Sequence, residues 1–328
     1  MSSKFNSNYL AFRYQPYGFS QVGTIKVKTA KDIDVAIKEQ LKKYKDKKLG
    51  LLLSGGMDSG ILASYLPGCE AYTFRDESGL YKNEIERAKK YCNKYHLHLN
   101  YVDISFEKMV PALDTIMKFR HEPVHSIEPQ IYLAAKQALN DGIEIMIIGD
   151  AADFVFCGFD KVFSKDWLYE EGKKRYIYVD PEEVLKEPYD LDDVFKPFKK
   201  GDYLDMEKLM LDTLGPEESY ISYRDAFACA GLRCFDPYED LCRDFELDYD
   251  RIRNGESKYL IRELYKMKYP EFDIPEKIPM PRPVDLYFKD YEGPTNEVFK
   301  KFDITKMTGN QKWLIWCLDR WLNLWSTL

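Results

Sequence analysis

Two spacings of apolar residues alternate along the first half of the chain. Ile33, Ile37 and Leu41 recur every four residues, which predicts a helix over 31–46 with one apolar face. A continuous apolar run at 49–53 is short enough for a strand buried on both faces, and further strands are predicted at 69–74, 99–104 and 143–148. The stretches between them predict helices over 61–66, 83–95, 106–118 and 128–139. This alternation predicts an α/β fold with a doubly wound parallel sheet.

The same pattern divides the chain into three parts. Residues 1–46 form an N-terminal extension and helix, in which 9–14 and 24–27 are predicted as short strands. Residues 47–160 form the α/β core, and residues 161–328 form a helical C-terminal lobe that holds the substrate. The aromatic-rich stretch 313–325 in this lobe predicts a helix that packs against other helices.

Charge and cysteine usage exclude several classes of function. The 328-residue chain has 48 Lys and Arg against 55 Asp and Glu, and its net charge of −7 argues against a nucleic-acid partner. None of the seven cysteines forms a C-x-x-C pair, so a structural zinc site is not expected. Scattered cysteines, the lack of a signal peptide and the lack of a membrane-spanning apolar run predict a cytoplasmic protein with no membrane partner.

One turn in the core has the composition of a phosphate-binding loop. The buried run ends at Leu53, and Ser54-Gly55-Gly56-Met57-Asp58-Ser59 follows before a predicted helix. Glycines let the backbone approach a ligand closely, and the start of a helix favours a polyphosphate. Because Asp58 would repel phosphate, it implies an intervening Mg²⁺. The segment lacks the lysine of the Walker loop and the spacing of the dinucleotide-binding glycines.

A second polar segment follows the fourth predicted strand. Gly149 and Asp150 end that strand, and Asp153 comes three residues later. In a parallel sheet, ligands bind beyond the carboxyl ends of the strands, so this segment should lie beside the glycine loop. Two carboxylates there suit a metal ion and a reacting centre. The alternative is an ordinary acidic loop at the end of a strand.

The S-G-G-x-D-S segment after an apolar strand resembles the pyrophosphate loop of the N-type ATP pyrophosphatases. Together with the segment around Asp153, it resembles the synthetase domain of asparagine synthetase and its relatives, which include the β-lactam synthetases. The resemblance covers residues 30 to 325 and implies a five-stranded, mostly parallel sheet of the adenine nucleotide alpha hydrolase type. It also implies that residues 47–160 are an ATP pyrophosphatase core that uses ATP and Mg²⁺.

The resemblance also implies roles for individual residues. Asp58 and Asp153 match the two Mg²⁺-binding aspartates, and Asp150 replaces the residue that organises or deprotonates the nitrogen nucleophile. The residues implied to bind the nucleotide are Leu53, Ser54, Gly55, Gly56, Asp58, Ser59, Phe74 and Gly149. The family lysine that stabilises developing phosphate charge has no counterpart, because its position is Val284. Lys258, Lys277 and Arg282 are candidates to replace it, and Lys258 and Arg282 are assigned to the catalytic set.

The function implied is an ATP-dependent amide-forming ligase. It would adenylate the carboxylate of a small molecule, release pyrophosphate, and transfer the acyl group to a nitrogen. The glutaminase half of asparagine synthetase has no counterpart here, so the nitrogen would come from free ammonia, from a separate glutaminase, or from an amine. Two alternatives stay open: another pyrophosphatase of this class, and a degenerate synthetase that binds a nucleotide or a partner without turnover.

Overall fold

The computed structural model describes residues 2–18, 23–277 and 280–324, and a parallel sheet lies at its centre. The strands are β1 Ile25–Val27, β2 Leu49–Leu52, β3 Glu70–Arg75, β4 His98–Asp103, β5 Ile145–Ile147, β6 Lys199–Lys200, β7 Tyr203–Leu204, β8 Arg233–Phe235 and β9 Leu241–Arg243. The helices of the first half are α1 Ser3–Phe12, α2 Ala30–Lys42, α3 Met57–Ala63, α4 Lys82–Tyr95, α5 Phe106–Arg120, α6 Glu128–Asn140 and α7 Ala152–Val155.

The second half of the chain adds shorter helices and three longer ones. They are α8 Tyr169–Tyr176, α9 Pro181–Val184, α10 Asp192–Phe195, α11 Leu214–Ala230, α12 Tyr249–Arg253, α13 Tyr259–Lys268, α14 Val284–Tyr287 and α15 Gly309–Leu324. A π-helical turn, Lys208–Thr213, leads directly into α11. Two short 3₁₀ turns lie at Lys196–Phe198 and Ile304–Lys306.

The main sheet has five strands in the order β4-β3-β2-β5-β8, and every neighbouring pair is parallel. The predicted doubly wound α/β sheet is therefore confirmed. Gly50 of β2 pairs with Glu70 on one side and with Met146 on the other. The strand order reverses between β2 and β5, which places a crevice at their carboxyl ends, where such sheets bind ligands.

Helices cover both faces of this sheet, and the strands alternate between two cores. Leu52 packs in one buried cluster, while Leu51 and Leu53 pack in another. The first cluster takes side chains from α1, α5, α6, α11 and α15, and the second from α2, α3, α4 and α13. The apolar face predicted for 31–46 is confirmed, since Ile33, Ile37 and Leu41 are buried in the second cluster.

The predicted strand over 9–14 is wrong, because this stretch lies mostly in α1. The Ser2 side chain accepts a hydrogen bond from the Phe5 backbone N–H and so caps the helix. Tyr9 and Leu10 are fully buried, and they share a cluster with Trp313 of α15. Tertiary packing on a distant helix therefore decides the conformation. A local pattern of aromatic and apolar residues does not carry that information.

The stretch predicted as a helical lobe also supplies strands. β8 completes the main sheet beside β5, and β9 pairs in parallel with β1. A strand of three residues is too short to show an alternating pattern in sequence. The aromatic-rich helix predicted over 313–325 is seen as α15, and Trp325 lies outside the described residues. Within the described ranges, no helix combines the length and the apolar content needed to cross a bilayer.

Candidate active site

The glycine loop joins β2 to α3 at the carboxyl edge of the sheet. Its hydroxyl groups bond within the loop: the Oγ atoms of Ser54 and Ser59 are 3.1 Å apart, and the Gly56 N–H donates to Ser54 Oγ at 3.3 Å. The hydroxyl of Tyr238 donates to the backbone oxygen of Asp58 at 3.1 Å. No side chain caps the N-terminus of α3. The loop is thus held in place and keeps its helix start open.

Gly55 is the residue of this loop that needs to be glycine. Its φ of +74° lies in the left-handed region, and a Cβ placed there would be 2.4 Å from the backbone oxygen of Glu84. A side chain would therefore be disfavoured both by backbone strain and by contact with the first turn of α4. The close packing of the loop against α4 fixes the floor of a cleft.

This main cleft encloses about 1140 Å³ between the two loops and the C-terminal part of the chain. Most of the residues that the sequence assigned to nucleotide or metal binding line it: Leu53, Ser54, Gly56, Asp58, Ser59, Phe74, Gly149 and Asp153. Asp150 and Lys258 line it as well. Gly55 lies in the same loop beneath it. The two segments that the sequence singled out therefore line one cleft.

The loop after β5 is anchored by a buried carboxylate that the sequence did not single out. Asp236, at the end of β8, accepts hydrogen bonds from the backbone N–H groups of Ala151 at 2.8 Å and Tyr238 at 2.9 Å. Burial raises the pKa of Asp236 to about 7, although these N–H groups oppose the rise. Its position at the end of an adjacent parallel strand is the signal that could have identified it.

Asp58 and Asp153 converge on one ammonium group. Lys258 Nζ lies 2.5 Å from Asp58 Oδ2 and 2.7 Å from Asp153 Oδ1. Lys277 Nζ lies 2.8 Å from Asp153 Oδ2. Lys258 is only 5% exposed, whereas the side chains of Asp58 and Asp153 are 21% and 25% exposed to the cleft. The two loops thus bring both predicted metal ligands into one cavity, where two lysines balance the two carboxylates.

The backbone at Lys258, which contacts Asp58 and Asp153, has a conformation that is unfavourable for a lysine. Its φ of 51° and ψ of 41° are left-handed, immediately before α13. Such a conformation costs a lysine about 1 to 2 kcal/mol relative to the usual helical region. Strain of this kind persists where the surrounding structure demands it, and it is enriched at functional sites.

Burial and charge act in opposite directions on the pKa values of this cluster. Burial alone would lower the pKa of Lys258, but Asp153 and Asp58 outweigh it and raise that pKa. Burial raises the pKa of Asp58, and Lys258 only partly opposes the rise. Burial also acts to raise the pKa of Asp153, but Lys258 and Lys277 lower it overall. Asp153 is therefore the more firmly ionised carboxylate.

The two aspartates fit the part that protein usually plays in binding Mg²⁺. Among the described residues, no three His, Cys, Asp or Glu side chains form a metal-binding group. Mg²⁺ at nucleotide sites is commonly held by one or two carboxylates, with phosphate oxygens and water completing the shell. Within the described part of the chain, Asp58 Oδ1 is buried without a hydrogen-bond partner, so one oxygen is available to a cation. The donor set fits a nucleotide-dependent Mg²⁺ site.

Asp150 follows β5, like Asp153, but it contacts a different set of residues. The Ser219 hydroxyl of α11 donates to Asp150 Oδ2. Burial, followed by the charges of Asp236, Asp153 and Glu218, raises the pKa of Asp150 well above its usual value. Besides the main cleft, Asp150 lines an adjoining cavity with Tyr223 of α11. A carboxyl group placed this way can take up a proton at the border of the two cavities.

Arg282 does not join the other predicted catalytic residues. It lines a different cavity, which we call the arginine cavity, with Arg13, His125 and Glu218. Val284, where the resemblance places a lysine, is buried in the core at 1% exposure. Lys277, which the sequence offered only as a candidate cation, does line the main cleft and contacts Asp153. It follows an irregular segment, so no local pattern could have placed it there.

Glu84 on α4 is a buried carboxyl group in the wall of the main cleft, 6% exposed. Burial raises its pKa from 4.5 to about 8, and Arg87 offsets only part of the rise. At pH values between these two pKa values, the carboxyl group of Glu84 holds its proton in the folded state and loses it in the unfolded chain. Folding stability therefore falls as the pH rises through this window, because the charged form is disfavoured in the fold.

We expect Glu84→Gln to remove the loss of folding stability that accompanies a rise in pH. Relative to the parent protein, the variant should gain about 2–4 kcal/mol in the free energy of unfolding between about pH 5 and about pH 9. Urea denaturation at the two pH values measures the change. Glu77→Gln, at an exposed position, is the matched control. An equal pH response in the two variants would contradict the assignment.

Part of this chain matches a known protein family, and its fold is similar to two solved structures. A family model described as asparagine synthase matches residues 28–211. No curated protein sequence matches significantly. Among solved structures, the NMN synthetase from Francisella tularensis shares 16% identity over 40% of this chain, which spans 57% of that protein, with a TM-score of 0.29.

A second solved structure is similar over a longer stretch. The U34-tRNA thiolase from Methanococcus maripaludis shares 14% identity over 76% of this chain and 83% of its own, with a TM-score of 0.31. At this level of similarity, neither structure informs the activity of this chain.

Proposed function

Because this chain belongs to the asparagine synthase family, we propose that it is an ATP-dependent, amide-forming ligase. It adenylates the carboxylate of a small molecule and passes the acyl group to ammonia or an amine. The observation that carries this proposal is the convergence of Asp58 and Asp153 on Lys258, in a cleft that also holds the glycine loop and Phe74. The nitrogen comes from ammonia in solution, from a separate glutaminase, or from an amine substrate.

The first step joins the substrate to the nucleotide. A carboxylate oxygen attacks the α-phosphorus of ATP, and the bond from that phosphorus to the bridging oxygen breaks to release pyrophosphate. Asp58 and Asp153 would hold Mg²⁺, which neutralises phosphate charge when bound. Lys258 and Lys277 lie within reach of the same space and supply the positive charge that the family otherwise draws from the position of Val284. Phe74 provides an apolar surface in the cleft for adenine.

The second step forms the amide. Nitrogen attacks the acyl carbon, and AMP leaves with the electrons of the acyl–oxygen bond. The attacking nitrogen loses a proton, and Asp150 is placed to accept it. Its raised pKa makes its ionised form a stronger base than an exposed aspartate. Ser219 fixes the orientation of this carboxyl group through its hydroxyl.

The test is a search for products. The protein is incubated with ATP, Mg²⁺, ammonia and a library of small carboxylic acids, and AMP and amides are measured by mass spectrometry. We expect AMP and an amide in equal amounts for one chemical class of acid. The Asp58→Asn variant serves as the inactive control. Products other than an amide, or AMP without dependence on any acid, would count against the proposal.

A nucleotide-binding protein without turnover is the second candidate, and Val284 is the observation that favours it. Its buried side chain brings no positive charge to the cleft. Calorimetry with ATP and Mg²⁺, run beside the product search, distinguishes the two. Nucleotide binding with no AMP formed across the library would favour this second function.

A further inference from the structure

The arginine cavity lies apart from the glycine loop and has no role in the adenylation chemistry described above. It encloses about 1240 Å³ and is walled by the end of α1, α11 and the start of α15. Phe154 lines it as well as the cavity beside Asp150, so only this ring and its neighbours separate the two spaces. The residues that carry charge into it come from four distant parts of the chain.

Two arginines in this cavity point at one nitrogen atom. Arg13 Nη1 lies 3.1 Å from His125 Nε2, and Arg282 Nη1 lies 3.2 Å from the same atom. A guanidinium group only donates hydrogen bonds, so Nε2 must be the acceptor and the ring proton lies on Nδ1. Burial, then Arg13 and Arg282, lower the pKa of His125 well below its usual value. The imidazole is therefore neutral and adds no charge of its own.

The carboxylates in the cavity do not balance these cations. Arg13 Nη2 forms an ion pair with Glu218 at 2.7 Å. Arg282 has no carboxylate within 4.0 Å among the described residues, and besides His125 it contacts the Ser126 hydroxyl at 3.4 Å. Burial, followed by the charge of Arg13, lowers the pKa of Arg282. One partly buried positive charge thus has no ion-pair carboxylate among the described residues. Arg175 adds a further charge at the exposed rim.

Unpaired polar atoms mark the same place. Among the described residues, Arg13 Nε has no hydrogen-bond partner, and His125 Nδ1 lies 3.7 Å from Glu218 Oε1, too far for a hydrogen bond. Arg13 also adopts a left-handed backbone conformation, with φ of 74°, where α1 ends. Buried charges and buried donors are usually satisfied, so the incompletely paired guanidinium groups of this cavity are suited to binding an anion.

We propose that the arginine cavity binds the carboxylate of a small molecule whose body is partly apolar. A single excess positive charge suits a monoanion better than a phosphate dianion, and the flat edge of a guanidinium group matches a carboxylate. The rest of the lining is largely aromatic and aliphatic, including Phe154, Tyr176 and Leu314. Such a surface favours a ligand with an aromatic or aliphatic body.

The test uses three probes of one shape with the full-length protein and no ATP. Phenylacetate carries a carboxylate, phenylacetamide is its neutral counterpart, and phenyl phosphate carries a dianion. Calorimetry should show saturable binding of phenylacetate that is at least about tenfold tighter than that of phenylacetamide, because a charged hydrogen bond is lost in the amide. Arg282→Gln should weaken phenylacetate binding to the level of phenylacetamide. Arg233→Gln, the same change at an exposed strand position, should leave binding unchanged.

A second variant, Asn310→Asp, tests the cavity independently of any folding defect in Arg282→Gln. Asn310 lines the cavity and accepts a hydrogen bond from the Ser126 hydroxyl at 3.2 Å. Asn310→Asp adds a fixed negative charge there, so it should weaken phenylacetate binding while the protein stays folded. No phenylacetate binding by the parent protein, or equal binding by all variants, would overturn the proposal. Tighter binding of phenyl phosphate would overturn the choice of a carboxylate.

This outcome is independent of the proposed ligase activity. Asp58→Asn removes a residue of the main cleft and should leave phenylacetate binding at the level of the parent protein. Carboxylate binding that persists in this variant supports the arginine cavity even if no amide product is ever found. Loss of binding in Asp58→Asn would instead place the bound carboxylate in the main cleft and refute the separate site.

Discussion

Asp58→Asn should lower the affinity for ATP in the presence of Mg²⁺ by about 10- to 100-fold and reduce product formation by about 100- to 1000-fold. Asp58 supplies one of the two carboxylates that face each other across Lys258, and its Oδ1 is the buried oxygen without a partner. An asparagine keeps the size of the side chain but loses the charge that attracts a divalent cation. The remaining pair of Lys258 with Asp153 should keep the cleft folded.

Calorimetry with ATP, with and without Mg²⁺, measures this effect without knowledge of the acid substrate. The parent protein should bind ATP more tightly when Mg²⁺ is present, and the variant should lose most of that difference. Asp46→Asn, an exposed aspartate before β2, is the matched control and should behave like the parent protein. An Asp58→Asn protein that retains the full Mg²⁺ dependence would refute the assignment of Asp58.

The part of the site that could be predicted from sequence is the part fixed by local rules. A run of apolar residues that ends in two glycines predicts a buried strand followed by a loop, and β2 and Gly55 have those conformations. The carboxyl ends of parallel strands meet at one edge, so the sequence alone predicts that Asp58 and Asp153 lie close together. These inferences needed only the periodicity of the chain and the chemistry of a few side chains.

Local sequence rules do not predict contacts between residues far apart in the chain. Lys258 reaches Asp58 across 200 residues, and Lys277 reaches Asp153 across 124. Arg282 follows an irregular stretch whose path depends on packing, so the sequence could not predict that its side chain lines the arginine cavity rather than the main cleft. In the same way, α1 forms because Tyr9 and Leu10 find partners on α15. Resemblance to a family could suggest Lys258, but only the fold brings it to the carboxylates.

Lys258→Met should destabilise the protein in the absence of Mg²⁺ by about 3–5 kcal/mol, since removal of one partner leaves buried charges uncompensated. Asp58 and Asp153 would then face each other with only Lys277 beside them. Their shared repulsion would raise both pKa values above those of the unfolded chain. Stability of the variant should therefore recover as the pH falls and the carboxylates take up protons.

The Lys258→Met variant also shows whether Lys258 only stabilises the fold or also takes part in the reaction next to a bound Mg²⁺. If Asp58 and Asp153 form a Mg²⁺ site, millimolar Mg²⁺ should raise the melting temperature of Lys258→Met far more than that of the parent protein, because the ion takes the place of the lost ammonium group. Thermal unfolding with and without Mg²⁺ measures this, with Lys45→Met at an exposed position as the control. Recovery by Mg²⁺ together with lost product formation would give Lys258 a part in catalysis. A variant as stable as the parent protein, and indifferent to Mg²⁺, would mean that the two carboxylates do not share one space in solution.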